Sequence, residues 1–307
     1  MRSLPTVFVG IPTYNRPEGL LNTLSRIAGQ SYKNIEILVS DNCSDDPQVI
    51  EILNKLSKED SRIKWVRQST NIGADKNFKY LLEKCSAEYF MWASDDDDWD
   101  PNFIEFCMNA ILENEADAVM PGFCRFNKFH DRTSESNLPK LNGLDKFHDA
   151  KTFFSIMCHS IIYGLHRVSA IDWYVNDPGP MDDEFILLKL ILNNKVITFP
   201  EVNLYTATIE TATYKLKHQE GPNRYMFQVR RLLRILTLID ETSAITDLQK
   251  LELSRLVAIR KLGIALLYEK DIRTAEQHNL ALALYHILDS ISFNGPEDLL
   301  TLLHKLK

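Results

Sequence analysis

Apolar and polar residues follow two different periods along the first 120 residues of the chain. Short β-branched and apolar runs predict strands, and stretches with apolar residues three or four positions apart predict helices between them. The predicted strands cover residues 6–11, 35–39, 63–66, 89–93 and 118–120, and the predicted helices begin at Pro17 and cover 49–56, 77–85 and 102–114. Strands separated by helices in this way indicate βαβ units and a parallel sheet.

The pattern changes twice after residue 120. The polar stretch 127–149 predicts a mobile loop, after which a helix over about 182–193 and a strand over 195–199 continue the mixed pattern. From residue 223 onward the apolar spacing is almost entirely helical. We therefore expect an α/β domain over 1–222, made of a 1–120 half and a 121–222 half, followed by an α-helical region over 223–307.

Composition excludes several classes of protein. The 307 residues carry 45% apolar and 25% charged side chains, which is ordinary for a globular protein. A net charge of −7 argues against nucleic acid as a partner, because phosphate binding relies on clustered Lys and Arg. The 5 cysteines lack CxxC spacing, and no apolar run is long enough for a signal peptide or a membrane span. We expect a cytoplasmic protein.

Polar residues stand directly after several predicted strands. Tyr14, Asn15 and Asp41 follow the first two strands, and the consecutive aspartates Asp95 to Asp98 follow the fourth. In parallel sheets ligands bind outside the carboxyl ends of the strands. Adjacent carboxylates repel one another, and their hard oxygen atoms suit Mg²⁺ or Mn²⁺. The alternative is a solvated acidic turn. A calcium EF-hand loop fits badly, because, counting from Asp96, Pro101 stands at its glycine position and Cys107 at its glutamate position.

Four short motifs occur in one order along the chain, at residues 12–16 (PTYNR), 40–46 (SDNCSDD), 71–77 (NIGADKN) and 94–101 (SDDDDWDP). In that order the chain resembles the family 2 glycosyltransferases of the GT-A fold over roughly residues 5–205. The resemblance implies a Rossmann-like, mostly parallel sheet flanked by helices, with an α-helical C-terminal region after it. Ser94 stands where the commonest motif has an aspartate, so the chain is similar to the S-D-D-D subset of this family.

The resemblance also implies roles for individual residues. It places Thr13 and Tyr14 around the nucleotide base and lets Asp41 accept a hydrogen bond from a uracil or thymine imide, as an acceptor-only carboxylate can. It implies Asp95 near the ribose and Asp96 or Asp97 on an Mn²⁺ or Mg²⁺ ion at the donor diphosphate, with His218 as a further candidate metal ligand. The full set of implied nucleotide-sugar-binding residues is Pro12, Thr13, Tyr14, Asn15, Arg16, Asp41, Asn71, Gly73, Asn77, Asp95 and Asp96.

Simpler interpretations stay open for two of these motifs. Tyr14 and Asp41 can instead form a turn and cap a helix without contacting a nucleotide. Residues 71–77 can form an Asx-type turn with a helix N-cap instead of touching the donor.

The catalytic base is implied by the stretch 179–189, which resembles the family's E-D sequence at a helix start. The second acid of that sequence is Asp183, and Asp182 stands where glutamate is usual. A carboxylate at this position can take the proton of an acceptor hydroxyl. Asp182 and Asp183 can exchange these roles. Alternatively, both acids only stabilise the N-terminus of the helix through its dipole and have no catalytic role.

Together these features predict an inverting, metal-dependent hexosyl- or deoxyhexosyltransferase that uses a UDP- or dTDP-sugar donor. The expected acceptor is a hydroxyl of a saccharide, glycolipid or glycoprotein, in surface polysaccharide or glycoconjugate synthesis. A non-catalytic nucleotide-sugar-binding or scaffold protein on the same fold is the alternative. The basic stretch from Lys215 to Arg234 can make peripheral contact with anionic lipid at the inner face of a membrane. Alternatively, its apolar face packs on the catalytic domain or on another copy of the chain, giving a homo-oligomer through the C-terminal helices.

Overall fold

The computed structural model of the chain describes residues 4–127, 132–135, 137–209 and 224–268. These residues belong to two compact units. The first takes its described residues from Met1–Gly143, Cys158–Asp183 and Asn194–Thr211. The second takes them from Leu144–Met157, Glu184–Asn193 and the part of the chain after residue 211.

A mixed sheet forms the centre of the first unit. Its described strands lie in the order β3-β2-β1-β4-β8-β6-β9-β5, with β7 paired to β6. The β1–β2, β1–β4, β2–β3 and β6–β9 pairs are parallel, and the other pairs are antiparallel. The strand bounds are β1 Val7–Thr13, β2 Ile35–Asp41, β3 Ile63–Arg67, β4 Tyr89–Trp92, β5 Asp98–Trp99, β6 Ala118–Asn127, β7 Arg132–Glu135, β8 Leu165–Arg167 and β9 Val196–Ile209.

Helices lie between the strands along the chain and also follow the last strand. Their bounds are α1 Pro17–Ala28, α2 Pro47–Glu59, α3 Ala74–Glu83, α4 Phe103–Asn114, α5 Lys146–Ile156, α6 Val168–Ile171, α7 Asp183–Asn193, α8 Arg224–Glu241 and α9 Asp247–Tyr268. Two short 3₁₀ segments cover His159–Tyr163 and Asp172–Asn176. The predicted α/β class, with helices flanking a central sheet and further helices near the C-terminus, is confirmed.

The first βαβ units form because their apolar positions match the period of each element. Every residue of β1 and of β4 is buried, as expected for strands covered on both faces. On α1 the buried residues Leu20, Leu24 and Ile27 recur at helical spacing, and Pro17 occupies the first turn. Burying each such side chain contributes about 1.5–3 kcal/mol, so these three residues stabilise the packed position of α1.

The predicted mobile loop over residues 127–149 is wrong for residues 132–135 and 146–149, which form a strand and the start of a helix, whereas residues 137–145 lie outside helices and strands. Residues Arg132–Glu135 form β7 against the end of β6, since cross-strand pairing can hold a polar segment that lacks apolar alternation. Helix α5 begins at Lys146, and the Asp145 side chain caps it by accepting a hydrogen bond from the His148 amide at 2.9 Å. Phe153 and Phe154 then bury the apolar side of α5.

The second unit is helical in the residues that the structure describes. Leu232, Ile235 and Ile239 give α8 a buried stripe, and Lys151 on α5 forms an ion pair with Glu252 on α9. None of the described helices is both long enough and apolar enough to cross a membrane. The basic residues predicted between 215 and 223, and all residues after 268, lie outside the described residues.

Candidate active site

The carboxyl ends of β1, β2 and β4 meet at one edge of the sheet. Thr13 at the end of β1 is in register with Asp41 at the end of β2, and the Asn42 amide donates to the Thr13 carbonyl at 2.9 Å. Strand β4 lies on the other side of β1 and leads into Ser94 and the aspartate block, residues Asp95 to Asp98. The sheet therefore brings the first, second and fourth motifs to one edge, as the strand pattern predicts.

Asp41 is fully buried and has one carboxylate oxygen without a hydrogen bond. Its Oδ1 atom accepts hydrogen bonds from the amide and the hydroxyl of Ser44. Its Oδ2 atom accepts none from the described residues, and the Arg67 Nε atom lies 3.6 Å away from it. A buried acceptor left unsatisfied costs about 1–3 kcal/mol. The Oδ2 atom is therefore suited to receive a donor from a ligand.

Asn15 joins the turn after β1 to the turn after β2. Its backbone adopts a left-handed conformation with φ of 53°, which asparagine tolerates better than most residues. Its amide donates to the Ser44 hydroxyl at 2.9 Å, and its side-chain oxygen accepts from the Asp45 and Asp46 amides at 2.7 and 3.1 Å. The neighbouring Tyr14 is 40% exposed, so its ring is accessible to a ligand.

The motif at residues 71–77 holds α3 against the turn after β2. The buried Asn77 side chain donates to the Ser40 carbonyl at 2.9 Å and accepts from the Ser40 hydroxyl at 2.6 Å. The Asn42 side chain donates to the Asn71 side-chain oxygen at 3.0 Å and accepts from the Ile72 amide. Gly73, with φ of 84°, starts the helix in a conformation that favours glycine. The Gly73 amide donates to the Asn71 side-chain oxygen at 2.9 Å, which forms the Asx-type turn that the sequence left open.

The four carboxylates of the aspartate block have different partners. Arg16 lies between the first two: its Nη1 atom is 3.4 Å from the Asp95 carboxylate and also donates a hydrogen bond to Asp96. Asp96 accepts a second hydrogen bond from the Ser94 hydroxyl. Asp97 points to β9 instead, where it accepts from the Tyr205 hydroxyl and from the Thr208 amide at 2.8 Å. Asp98 pairs with Arg26 at 2.7 Å on the surface.

One face of α1 packs directly on the backbone of the aspartate block. The Thr23 hydroxyl lies 3.0 Å from the Ser94 carbonyl and 3.3 Å from the Asp97 carbonyl. A Cβ atom added to Gly19 would lie only 2.1 Å from the Asp95 carbonyl oxygen. Gly19 is therefore required for the close approach of helix and acidic turn, a role that the sequence pattern did not reveal.

Burial and mutual repulsion raise the pKa of two carboxyls in the block. Burial is the main cause of the rise in the pKa of Asp95 to about 7; the Arg16 guanidinium opposes it and the Asp96 charge adds to it. Burial also raises the pKa of Asp97 to about 7, with the Asp96 charge adding to the rise and the Tyr205 hydrogen bond opposing it. A further cation beside these groups would favour their charged forms.

Tyr163 connects the aspartate block with the predicted base. Burial raises the pKa of its phenol well above the usual range, and the charges of Asp183, Asp97 and Asp96 contribute in that order. The charges of both predicted sites therefore influence the same buried phenol. Asp182, the neighbour of Asp183, is buried, and Asp183 is the first residue of α7.

Two of the predicted metal ligands, Asp96 and Asp97, lie among the described residues. Among the described residues, no three His, Cys, Asp or Glu side chains are grouped so that they could hold a metal ion. His218 lies outside the described residues. The two remaining candidates, Asp96 and Asp97, supply the oxygen atoms that Mg²⁺ and Mn²⁺ prefer, and Mg²⁺ is often held by one or two carboxylates plus substrate phosphates. The donor set therefore fits such an ion when a diphosphate completes it.

Comparison with known sequences decides the family. The profile described as glycosyl transferase family 2 matches residues 8–170, which is more than half of the chain. The chain belongs to glycosyl transferase family 2. That stretch includes the motifs at residues 12–16, 40–46, 71–77 and 94–101, so the family resemblance predicted from these motifs is confirmed.

Similar curated sequences share only part of their length with this family 2 chain. The GalNAc(5)-diNAcBac-PP-undecaprenol beta-1,3-glucosyltransferase of Campylobacter jejuni is 32% identical over 150 residues, which are 47% of this chain and 45% of that protein. Glycosyltransferase GlyA of Streptococcus pneumoniae is 26% identical over 216 residues, which are 66% of this chain and 30% of that protein. The chain thus spans less than half of the length of these relatives.

Solved structures support the fold of the family 2 chain. S. aureus TarS 1-349 in complex with UDP-GlcNAc has a TM-score of 0.71 and 16% sequence identity, and the match covers 92% of this chain and 81% of that one. The same TarS fragment in complex with UDP has a TM-score of 0.68 at 15% identity, covering 93% of this chain and 81% of that one. At this identity the likeness shows the fold, and the predicted GT-A architecture is confirmed.

Several residues at the site were absent from the sequence-based prediction. They are Gly19, Thr23, Tyr163 and Tyr205, which contact or influence the aspartate block from distant parts of the chain. Each is a single residue inside an element with ordinary patterning, so no local motif marks it.

Proposed function

We propose that this chain is an inverting glycosyltransferase that transfers a sugar from a UDP- or dTDP-sugar to an acceptor hydroxyl. The observation that carries this proposal is the unsatisfied Oδ2 atom of the buried Asp41, at the same sheet edge as the aspartate block. In a family 2 protein this edge offers one acceptor for a nucleobase and several carboxylates for a diphosphate-bound cation.

Recognition of the nucleobase would depend on Asp41 and Tyr14. A uracil or thymine imide N–H can donate to Asp41 Oδ2, which replaces the lost hydration of a buried carboxylate oxygen. The exposed ring of Tyr14 offers an aromatic face for stacking. Asn15 and Ser44 hold the two turns together around this pair, so the pocket is organised before the nucleotide binds.

The donor diphosphate would bind at the aspartate block. We propose Asp96 and Asp97 as the ligands of Mg²⁺ or Mn²⁺, which when bound would offset negative charge on the departing diphosphate. Asp97 is held by Tyr205 and by the Thr208 amide, and Asp96 by Ser94 and Arg16. Asp95 is proposed to face the ribose, and His218 stays a candidate ligand.

Proton removal from the acceptor is assigned to Asp183. Its carboxylate would take the hydroxyl proton while the acceptor oxygen forms a bond to the anomeric carbon. The bond between that carbon and the diphosphate oxygen breaks in the same step, and attack from the opposite face inverts the configuration. The influence of Asp183, Asp97 and Asp96 on Tyr163 supports a base close to the diphosphate site. Asp182 is the alternative base, since it is adjacent and buried.

The acceptor is proposed to be a hydroxyl of a saccharide, glycolipid or glycoprotein. The name of the Campylobacter relative refers to a lipid-diphosphate-linked saccharide, which favours an acceptor of that class here. Such an acceptor would bring the chain to the inner face of a membrane. We further propose that residues 1–222 form the catalytic domain, and that the helices of 223–307 make this membrane contact or join two copies of the chain.

Thermal unfolding with nucleotides tests donor binding. UDP, dTDP, CDP, UDP-glucose and UDP-GlcNAc are each added with and without Mn²⁺, because a ligand at 100 times its Kd stabilises the fold by about 2.7 kcal/mol. We expect UDP and dTDP compounds to raise the melting temperature more than CDP, since cytosine has no imide N–H. Equal shifts for UDP and CDP would contradict the role of Asp41.

Matched variants test the proposed metal ligands. Asp96→Asn is expected to lose the part of the UDP-induced rise in melting temperature that depends on Mn²⁺. Asp98→Asn is expected to keep it, because Asp98 is paired with Arg26 at the surface. Release of UDP from a sugar donor in the presence of saccharide or lipid-linked acceptors then measures transfer. Binding without turnover on any acceptor would favour the non-catalytic alternative.

A further inference from the structure

Helix α3 contacts the segment that leads into the proposed base. We propose that Asp75 and Lys79 on α3 are positioning residues that hold residues 177–181 and thereby place Asp183. This inference rests on the proposed function, because it assumes that Asp183, or its neighbour Asp182, deprotonates the acceptor.

Lys79 supplies hydrogen-bond donors to a segment that has few of its own. The segment 177–181 reads Asp-Pro-Gly-Pro-Met, and its two prolines have no backbone N–H with which to form regular structure. The Lys79 ammonium group donates to the Asp177 carbonyl and, at 3.2 Å, to the Gly179 carbonyl. It also lies 4.7 Å from the centroid of the Tyr174 ring, just before the segment. One side chain therefore fixes three successive parts of the path toward Asp183.

Asp75 holds the end of the same segment. Its Oδ2 atom accepts a hydrogen bond from the Met181 amide at 3.2 Å, immediately before Asp182. Asp75 and Lys79 are four residues apart, so they lie on one face of α3. Within the segment, the Gly179 amide donates to the Asp177 side chain at 2.7 Å. The helix thus binds both the start and the end of 177–181.

The opposite side of α3 is bonded to the strand that ends at Asp41. Asn77 is buried and exchanges two hydrogen bonds with Ser40. Because the helix is anchored on β2, the segment held by Asp75 and Lys79 takes its position from the sheet that carries the nucleobase site. A single rigid element therefore links the donor side of the site with the proposed base.

The consequence for catalysis is geometric. A general base must come within about 2.6–3.2 Å of the proton donor, and a displacement of about 1 Å can lower the rate by roughly 100-fold. Loss of the α3 contacts is therefore expected to lower kcat about 10- to 100-fold. The KM for the donor is expected to change by less than about 2-fold, because Asp41 and the aspartate block are unaltered.

The experiment compares Lys79→Met, Lys79→Arg and Asp75→Ala with the control Lys55→Met, which replaces an exposed lysine on α2. Hydrogen exchange of the peptide covering residues 177–183 is measured together with kcat and KM for UDP release from the sugar donor. We expect faster exchange and lower kcat in Lys79→Met and Asp75→Ala, partial recovery in Lys79→Arg, and wild-type behaviour in Lys55→Met.

Three results would overturn the inference. Unchanged exchange in Lys79→Met would show that the contacts do not hold the segment. Faster exchange with wild-type kcat would show that the segment does not position the base. A wild-type chain that binds UDP and releases none from any sugar donor would remove the proposed function, and the positioning role with it, even where exchange responds as expected.

Discussion

The Tyr205 hydroxyl on β9 donates a hydrogen bond to the carboxylate of Asp97, across 108 residues of sequence. Strand β5, which contains Asp98 and Trp99, pairs with Thr206 and Tyr205 of β9, so the same strand fixes both the backbone and a side chain of the aspartate block. The orientation of the proposed metal ligand is therefore set by a strand far outside the motif.

Replacing Tyr205 tests this support. Tyr205→Phe removes a buried hydrogen bond to a carboxylate, and we expect the free energy of unfolding to fall by about 1–3 kcal/mol. We also expect a smaller Mn²⁺-dependent shift with UDP, because Asp97 loses its orientation and a group that favours its charged form. Urea unfolding and thermal shifts measure the two effects.

Tyr32→Phe is the matched control for that variant. It removes the hydrogen bond of the Tyr32 hydroxyl to the Pro5 carbonyl, remote from the aspartates. It should cost stability without changing the Mn²⁺-dependent shift. If both variants keep the full shift, Tyr205 does not act on the metal site.

Asp41→Asn should change which base the chain binds. The amide keeps an oxygen for Ser44 and presents an N–H₂ group in place of Oδ2, so it no longer accepts from an imide. We expect UDP to bind roughly 10- to 100-fold more weakly, as expected when a hydrogen bond to a charged group is lost. CDP should lose little or gain, because cytosine N3 can accept.

Calorimetric titration of both nucleotides measures this change. Asp45→Asn, an exposed carboxylate in the same turn, serves as the control and should leave the preference for UDP intact. A parallel loss of UDP and CDP affinity in Asp41→Asn would instead point to collapse of the turn.

Gly19→Ala should damage the aspartate block despite improving the helix. Alanine is favoured over glycine inside a helix by about 1 kcal/mol, yet its Cβ atom would meet the Asp95 carbonyl at 2.1 Å. We expect a net destabilisation of about 1–3 kcal/mol from overpacking, together with loss of the Mn²⁺-dependent shift. Ser25→Ala on the exposed side of α1 should be neutral or stabilising; a stabilised Gly19→Ala protein would refute the close packing.

His166 should make stability depend on pH. Burial lowers the pKa of its imidazole from 6.5 to about 4, and its Nε2 atom lies 2.9 Å from the Ile162 carbonyl oxygen. The unfolded chain therefore takes up a proton below pH 6.5 while the native chain does not until about pH 4. The contribution of His166 to the free energy of unfolding is therefore fully present above pH 6.5 and is lost as the pH falls toward 4. Between pH 7 and 5 this loss amounts to roughly 2 kcal/mol.

Urea unfolding of the wild-type chain and of His166→Leu, each at pH 7 and pH 5, isolates the contribution of His166. All other titrating groups are common to both proteins. The variant should show a decline that is smaller by about the same amount. Equal declines would mean that His166 is protonated in the native state at pH 5.

The sequence predicted the elements that carry a regular period. Strands β1 to β4 and helices α1, α2 and α4 follow from runs of apolar residues long enough to show a repeat. Strand β8 has three residues and lies antiparallel between β4 and β6, so it carries no period of its own. Strand β7 and the start of α5 were missed because their polar residues predicted a loop. The strand pairing with β6 and the Asp145 helix cap that form these elements leave no apolar pattern in the sequence.

At the site, local sequence predicted the groups that stand at strand ends and missed those that hold them. Asp41 and the aspartate block follow from position alone. The contacts of Arg16, Thr23 and Tyr205 with that block depend on how α1 and β9 pack, which only the folded chain determines. The motif at residues 71–77 matched the family pattern, yet its described bonds are those of a structural brace.

The dependence of Asp97 on β9 limits how far the protein can be shortened. A fragment trimmed to residues 8–170, the stretch that matches the family profile, would retain every aspartate of the acidic motif. It would lack Tyr205 and the Thr208 amide, the two donors to Asp97, and the partner strand of Asp98 and Trp99. Minimal versions for screening or engineering should therefore extend at least through Ile209, the last residue of β9.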